Sequence, residues 1–315
     1  MKILHETIHT IAVYRTNICF YTGRLTTGEI LMTNISKNWL ITGTSTGLGR
    51  LLTERLLARG DHVAATVRVP AVLDDLASRY PDTLRVFVLD ITDTPAVRAT
   101  VDAAFAAMPR IDIVVGNAGY GLFGAAEEVT DAQIDRQIAT NLTGAIQLIR
   151  AVLPHLRHQQ GGRIVQLSSE GGQIAYPNFS VYHASKWGIE GFVESVAQEV
   201  APFGIDFLLV EPGPTRTSFV SGLVRAESMA EYDDTPAGAM RRALDSGTFT
   251  IKGDAYNTVE AIIAAGDAVR PPLRLALGST AYASIHTGLI NRLDALEAQK
   301  DRAFAADATA PRPGA

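Results

Sequence analysis

From Trp39 onward the chain alternates short apolar runs with longer stretches whose apolar residues recur every three or four positions. Trp39-Leu40-Ile41, Val63 to Val67, Val86 to Leu89, Ile111 to Val115, Ile164 to Leu167 and Ile205 to Val210 are such runs. Each is short enough and apolar enough to be a strand buried on both faces. The stretches between them carry helical spacing. Leu48, Leu51, Leu52 and Leu56 form one stripe that stops at Gly60, and Pro70 opens a short helix over 70–79. Val97, Val101 and Phe105 form another, with Thr94 expected as N-cap and Pro95 as first helical residue. Thr130 and Gln133 have the spacing of a capping box. They open one long helix with Ile134, Ile138, Ile146 and Ile149 near one face. Tyr182 to Val200 is the next helix. Helix-length crossovers between buried strands predict a parallel sheet with right-handed connections and helices on both faces.

The pattern loosens after Thr217. Residues 218–252 scatter Phe219, Leu223, Met229, Met240 and Phe249 among charges and glycines, the composition of a mobile lid over a site. A helical segment at Val259 to Ala265 and a strand at Leu273 to Leu277 return the chain to the sheet. Residues 1–36 lack any period and are expected to be a poorly ordered extension, with Met32 a candidate natural start. Residues 37–300 are expected to form the single domain. The Ala-, Pro- and Asp-rich stretch 301–315 is expected to be a disordered tail.

Composition narrows the possible functions. With 47% hydrophobic residues in 315, the chain can bury a full core. A net charge of −5 argues against a general nucleic-acid binder. Cys19 is the sole cysteine, which excludes an intrachain disulfide and fits a reducing cytoplasm. No apolar run reaches the roughly 18 residues of a membrane span. The seven histidines show no metal-binding spacing, so no metal site is expected. His183 reads as packed beside the site, and Arg241-Arg242 as a solvated pair.

Thr42-Gly43-Thr44-Ser45-Thr46-Gly47-Leu48-Gly49 stands between the first strand and the first helix. Strand, glycine-rich turn and helix are the context in which such a motif binds a nucleotide. Gly43 permits the turn, Gly47 lets backbone approach a pyrophosphate, and Gly49 lets helix pack closely on strand. The helix start offers unpaired N–H groups and its positive dipole end to the phosphates. The architecture is therefore expected to be a Rossmann-type doubly wound sheet.

The chemistry is concentrated in Tyr182-His183-Ala184-Ser185-Lys186. Residues four apart share a helix face, so the Lys186 ammonium is expected near the Tyr182 phenol. A nearby cation favours phenolate, which would lower the tyrosine pKa and make it a usable acid or base. Ser168 and Ser169 end the fifth strand, where open α/β sheets place ligands. Asn141 lies inside the long helix, where asparagine is a poor helix former.

Together these residues resemble the short-chain dehydrogenase/reductase family. Thr42–Gly49 matches its Thr-Gly-x-x-x-Gly-x-Gly motif, and Gly116–Gly119 its Asn-Asn-Ala-Gly motif with the first asparagine replaced by glycine. Asn141, Ser169, Tyr182 and Lys186 match its catalytic tetrad, and Pro212 to Thr217 its Pro-Gly-x-x-x-Thr segment. The resemblance spans most of Trp39 to Thr217. Ser169-Glu170-Gly171-Gly172 with Tyr176-Pro177 is similar to the retinol- and hydroxysteroid-dehydrogenase-like branch.

The resemblance implies hydride transfer between a nicotinamide and an alcohol or carbonyl carbon. Tyr182 would be the acid/base, and Lys186 would hold the ribose and keep the tyrosine acidic. Ser169 would bind the substrate oxygen, and Asn141 would place a relay water. It sets the cofactor against Gly43, Thr44, Ser45, Thr46, Gly47, Leu48 and Gly49, and against Arg68, Asp90 and Ile91. Asn117, Ala118, Gly119, Tyr182, Lys186, Pro212, Gly213, Thr215 and Thr217 complete the set. The glycine at 116 removes one side chain beside that cofactor. The position where an NAD-specific site would carry an acid is Val67, and the Arg68 that follows it favours NADP(H), with NAD(H) possible. Asp90 would accept from the adenine amino group or cap the following turn. The substrate is expected to be an apolar alcohol, ketone or aldehyde, and the protein a homo-oligomer. The alternative is a non-catalytic NADP(H)-sensing regulator, although such proteins usually lose the tyrosine or lysine present here. A sugar epimerase or dehydratase would show a shorter glycine spacing and a larger C-terminal domain.

Overall fold

A computed structural model describes residues 36–307. The expectations placed on residues 1–35 and on 308–315, including a start at Met32, lie outside the described residues.

The central sheet has seven parallel strands in the order β3-β2-β1-β4-β6-β7-β9. These are β1 (Asn38–Thr42), β2 (His62–Val67), β3 (Leu84–Val88), β4 (Ile113–Gly116), β6 (Gly162–Leu167), β7 (Ile205–Pro212) and β9 (Arg274–Leu277). Strand period two explains the two-sided core. Leu40, Ala64, Val114, Ile164 and Leu209 point to the face covered by α3 (Thr94–Ala107), α5 (Gly144–His158) and α6 (Ser180–Val200). Their neighbours Trp39, Ile41, Val63, Val115, Val165 and Leu208 point to the opposite face. There they meet α1 (Gly47–Arg59), α2 (Asp74–Arg79) and α8 (Ala255–Asp267). The predicted Rossmann-type doubly wound sheet with helices on both faces is the fold observed. Its strand order reverses between β1 and β4, where a cleft opens at the strands' carboxyl ends.

Local chemistry corrects some boundaries. The N-cap of α3 is Asp93, whose Oδ1 accepts from the Ala96 N–H at 3.0 Å. Thr94 and Pro95 are already helical. Thr130 and Gln133 do form a capping box, opening α4 (Asp131–Ile138). The helix expected to run on from there is interrupted by a π-turn at Ala139–Thr143. Its longer i→i+5 repeat inserts a residue and rotates the buried face. Ile134, Ile138 and Ile146 are therefore only half-buried, and the core stripe of α5 is Ala145, Leu148, Ile149, Val152 and Leu156.

The segment after Thr217 is more structured than its composition suggests. It carries β8 (Val224–Arg225), paired in parallel with β5 (Leu122–Phe123), and α7 (Pro236–Asp245). After β9 the chain forms α9 (Ser279–Glu297), which the spacing did not predict, and α10 (Lys300–Ala305). Residues 301–305, expected in a disordered tail, are thus helical. Only Ala281 and Ile285 of α9 are buried, so too few apolar residues face inward to give a readable stripe.

Asp93→Ala is expected to cost about 1 kcal/mol of unfolding free energy through loss of the cap, while Thr94→Ala costs roughly 0.5 kcal/mol or less. Urea titration of both variants checks the assignment.

Candidate active site

The cleft of about 670 Å³ begins at the glycine loop. Gly43 (φ +71°) and Gly47 (φ +59°) adopt left-handed backbone that other residues resist. A Cβ on Gly43 would lie 2.8 Å from the Ala118 Cα, so the loop after β4 can approach only because it is absent. A Cβ on Gly47 would meet nothing closer than the Ser218 hydroxyl at 3.8 Å, which leaves that backbone open to the cleft. Gly49 serves a different contact. Its Cβ would overlap the Asn117 amide at 2.3 Å, and that amide donates to the Thr42 and Gly43 carbonyls, both at 2.9 Å. Thr46 caps α1 without a side-chain hydrogen bond, so the helix start keeps backbone donors available. An open glycine cradle and an uncapped helix start on one cleft fit a dinucleotide phosphate.

Most sequence-predicted cofactor residues line this cleft, from Ser45, Thr46 and Leu48 through Arg68, Asp90 and Ile91 to Ala118, Gly119, Pro212, Gly213, Thr215 and Thr217. Thr44 and Gly49 do not. Thr44 is buried, and its N–H and hydroxyl both donate to the Thr66 carbonyl at 3.2 Å, tying the loop to β2. Asp90 is a cap: its Oδ1 accepts from the Thr92 N–H at 3.0 Å and hydroxyl at 2.7 Å. Those bonds, with Arg68 and Arg136 nearby, hold its carboxyl below the usual range. Arg68 is exposed and forms no ion pair among the described residues. At Gly116 the space an asparagine would fill is occupied by Gln166, whose Oε1 would lie 2.3 Å from an added Cβ. Gln166 also donates to the Gly116 carbonyl at 3.0 Å.

The four tetrad positions converge from three elements. Ser169 follows β6, Tyr182 and Lys186 lie on the first turns of α6, and Asn141 sits in the π-turn. Asn141 Oδ1 accepts from the Tyr120 N–H at 3.1 Å, and its Nδ2 donates to the Tyr120 carbonyl at 2.8 Å. The side chain therefore clamps the loop after β4 and does not itself line the cleft. The Lys186 ammonium lies 5.7 Å from the Tyr182 ring centroid and donates to the Leu167 carbonyl at 2.8 Å. Helical spacing did place the pair on one face.

The electrostatics reverse the expectation of an acidic phenol. Burial pushes Tyr182 up to about 12, opposed by the Ser169 hydroxyl and reinforced by Glu170. Burial also brings Lys186 down to about 8, opposed by the Glu190 carboxylate. Desolvation is the largest influence on both groups, which are buried together. His183 is neutral beside them: its Nε2 accepts from the Tyr176 N–H at 3.0 Å, so Nδ1 donates to the Gly171 carbonyl at 2.9 Å.

The far end of the cleft is apolar. Phe219, Val220 and Leu223 meet Phe179, Leu244 and Phe249 there, with the Phe219 and Tyr182 rings 5.7 Å apart. The base of this cover is stapled by buried Glu128, which accepts from the Ala125 N–H at 2.8 Å and the Met229 N–H at 2.9 Å. Arg241, expected to be solvated, instead pairs with Glu128 and with Asp233 at 3.3 Å. Tyr120 and Glu170 line the site unpredicted, although each directly follows a motif residue. Phe179, Arg136 and Leu244 are brought in by topology and carried no local signal.

Comparison with known proteins agrees with this arrangement. The family model for short chain dehydrogenases matches residues 37–228. Oxidoreductase BOA17 of Botryotinia fuckeliana is 37% identical over 252 residues, covering 78% of this chain and 90% of that protein. Human retinol dehydrogenase 8 is 33% identical over 249 residues, covering 75% and 79%. A crystal structure of a short-chain dehydrogenase from Streptomyces avermitilis superposes with a TM-score of 0.80 at 36% identity, covering 88% of this chain and all of that one. Among more distant fold neighbours, one structure holds NADP and another NAD.

Because Lys186 is charged below about pH 8 yet buried, Lys186→Met is expected to raise the melting temperature of the ligand-free protein at pH 7. The folded-state value lies below the ordinary 10.5, so the wild type regains stability as pH rises from about 8 to 10.5. The advantage of the variant should shrink over that window, as thermal melts at pH 7 and pH 10 would show.

Proposed function

The chain belongs to the short-chain dehydrogenase family, and from that premise we propose that it is an NADP(H)-dependent reductase of apolar ketones or aldehydes, with Tyr182 as acid/base. The family gives oxidoreductase chemistry on a nicotinamide cofactor, which supplies or takes a hydride at the substrate carbon when bound. The observation that carries the finer assignment is the joint burial of Tyr182 and Lys186 beside half-buried Ser169 on the cleft with the apolar end.

A phenol held up to about 12 keeps its proton at neutral pH, which suits a general acid for a developing alkoxide. Ser169 supports the same oxygen through its hydroxyl, a single preorganised donor in a water-poor site. Lys186 contributes a charge fixed by the Leu167 carbonyl, and would hold the ribose of a bound cofactor. Asn141 retains one N–H and one lone pair beyond its Tyr120 bonds, enough to hold a relay water. Gly43 to Leu48 would hold the pyrophosphate, and Thr215 and Thr217 the carboxamide end.

Arg68 supports NADP(H). It stands at the mouth of the cleft after β2 with no carboxylate bound to it among the described residues, so it can take a 2′-phosphate. An acid there would repel that phosphate. The apolar cover formed by Phe219, Leu223, Leu244 and Phe249 supports a bulky apolar substrate. A cytoplasmic homo-oligomer remains the proposed state; no described helix is long and apolar enough to cross a membrane.

NADPH oxidation is expected with hydrophobic ketones, and Tyr182→Phe should lower kcat by about 10²- to 10⁴-fold. Arg68→Ala should weaken NADPH by roughly ten- to a hundredfold, the loss of charge-assisted hydrogen bonds, and leave NADH almost unchanged. Steady-state kinetics with both cofactors over a carbonyl panel test each part. Tight NADPH binding without turnover of any substrate would favour a sensing protein instead.

A further inference from the structure

Glu170 follows Ser169 and borders the same cleft as Tyr182, yet it is only 3% exposed. It differs from the other buried glutamates. Glu128 is paired with Arg241, and Glu190 and Glu211 share Arg274. Glu170 has no cationic partner among the described residues. Its Oε1 accepts one hydrogen bond, from the Tyr176 hydroxyl at 3.1 Å, and its Oε2 has no partner among the described residues. A carboxylate so placed has lost its water and recovered a single donor, which is costly.

The groups around it come from its own loop and from three packed elements. Tyr176 lies on its own loop, and Tyr182 and His183 on α6. From α9, Ser284 reaches it only through the Tyr176 hydroxyl, at 3.2 Å. On β7 the charged group is Glu211, already engaged by Gln173 at 2.6 Å and by Arg274. His183 is neutral, as its two hydrogen bonds require. Glu170 and Tyr182 are therefore two acids lining one cleft, and its buried cation, Lys186, lies beside Tyr182 with its ammonium on the Leu167 carbonyl and forms no ion pair with Glu170. Like charges in such a pocket disfavour each other. A carboxyl ionises before a phenol, so by the pH at which Tyr182 could lose its proton the pocket already holds a negative charge.

We infer that Glu170 is a positioning residue whose buried negative charge holds the proton on Tyr182 and so widens the pH range over which the site can protonate a carbonyl oxygen. The inference rests on the acid role of Tyr182 proposed above. It adds a direction to the site: reduction is favoured kinetically to higher pH, and oxidation, which needs phenolate, is delayed. The equilibrium of the catalysed reaction is untouched. Tyr176 becomes part of the same device, since its hydroxyl is the one donor that stabilises the Glu170 anion.

The test is the pH profile of kcat/KM for NADP⁺-dependent oxidation of a hydrophobic alcohol by the full chain. In Glu170→Gln, which keeps the shape and removes the charge, the limb rising with pH should move down by roughly half a unit or more. Tyr176→Phe should move it the same way by less, because Glu170 then ionises later. A merely structural role would lower activity without moving the limb. Coincident limbs in wild type and Glu170→Gln overturn the inference. If no alcohol is turned over, the proposed activity fails separately. The phenolate absorbance of the NADP⁺ complex at one alkaline pH then decides, corrected by subtracting the matching Tyr182→Phe protein. More phenolate in Glu170→Gln than in wild type supports the inference, and an equal or smaller amount overturns it.

Discussion

The site depends on the contact between the loops after β1 and β4 at the point where the strand order reverses. Thr42 Oγ1 accepts from the Asn117 and Ala118 N–H groups at 3.1 and 3.2 Å, and the Asn117 amide returns two bonds to the β1 loop. That knot fixes the glycine turn that opens α1 and the loop that Asn141 clamps from the other side. It tolerates no side chain at Gly43 or Gly49, because Ala118 and Asn117 occupy that space. These four hydrogen bonds replace water for an irregular backbone packed at the sheet's edge. Cofactor cradle and catalytic floor are thus set by one network.

Desolvation governs the chemistry built on that floor. Tyr182 and Lys186 are both shifted toward their neutral forms, because burial penalises each ion and is the largest influence on both. Elsewhere the protein satisfies buried carboxylates with arginine, most fully where Arg274 of the edge strand reaches buried Glu190 and Glu211 and exposed Glu194. Glu190 in turn accepts from Ser168, which is thereby tied to the fold although it lines the cleft beside Ser169. Beside this well-paired cluster Glu170 stands apart, a buried acid with one neutral donor.

The cover over the apolar end is divided in the same way. Its base, around Met229 and Arg241, is fixed to the body by the buried Glu128 carboxylate. Burial alone would raise that carboxyl, but the Met229 and Ala125 N–H groups and Arg241 bring it below its ordinary range. The front, from Thr217 to Leu223, meets the cleft mainly through apolar side chains and small-residue backbone such as Gly121. Apolar contacts carry no directional constraint, so this front edge can adapt to substrate shape while the base holds position.

The strand runs, the helix stripes and the capping box at Thr130 were legible in the sequence because each depends on residues within a few positions of one another. The doubly wound sheet followed from them, since buried strands joined by helices have few other arrangements. Asn141, Ser169, Tyr182 and Lys186 could be singled out by motif, and helical spacing put Tyr182 and Lys186 together. Tertiary structure decided the rest. The π-turn at Asn141 shifts a helical face by an insertion that no periodic count reveals, and α9 buries too little to show a stripe. Gln166 fills the space left by Gly116 from a strand 50 residues away. The protonation of Tyr182 depends on how much water is excluded around it and on an acid contributed by another element. Local order is written in neighbouring residues, whereas burial and the charges sharing one pocket exist only once the chain has folded.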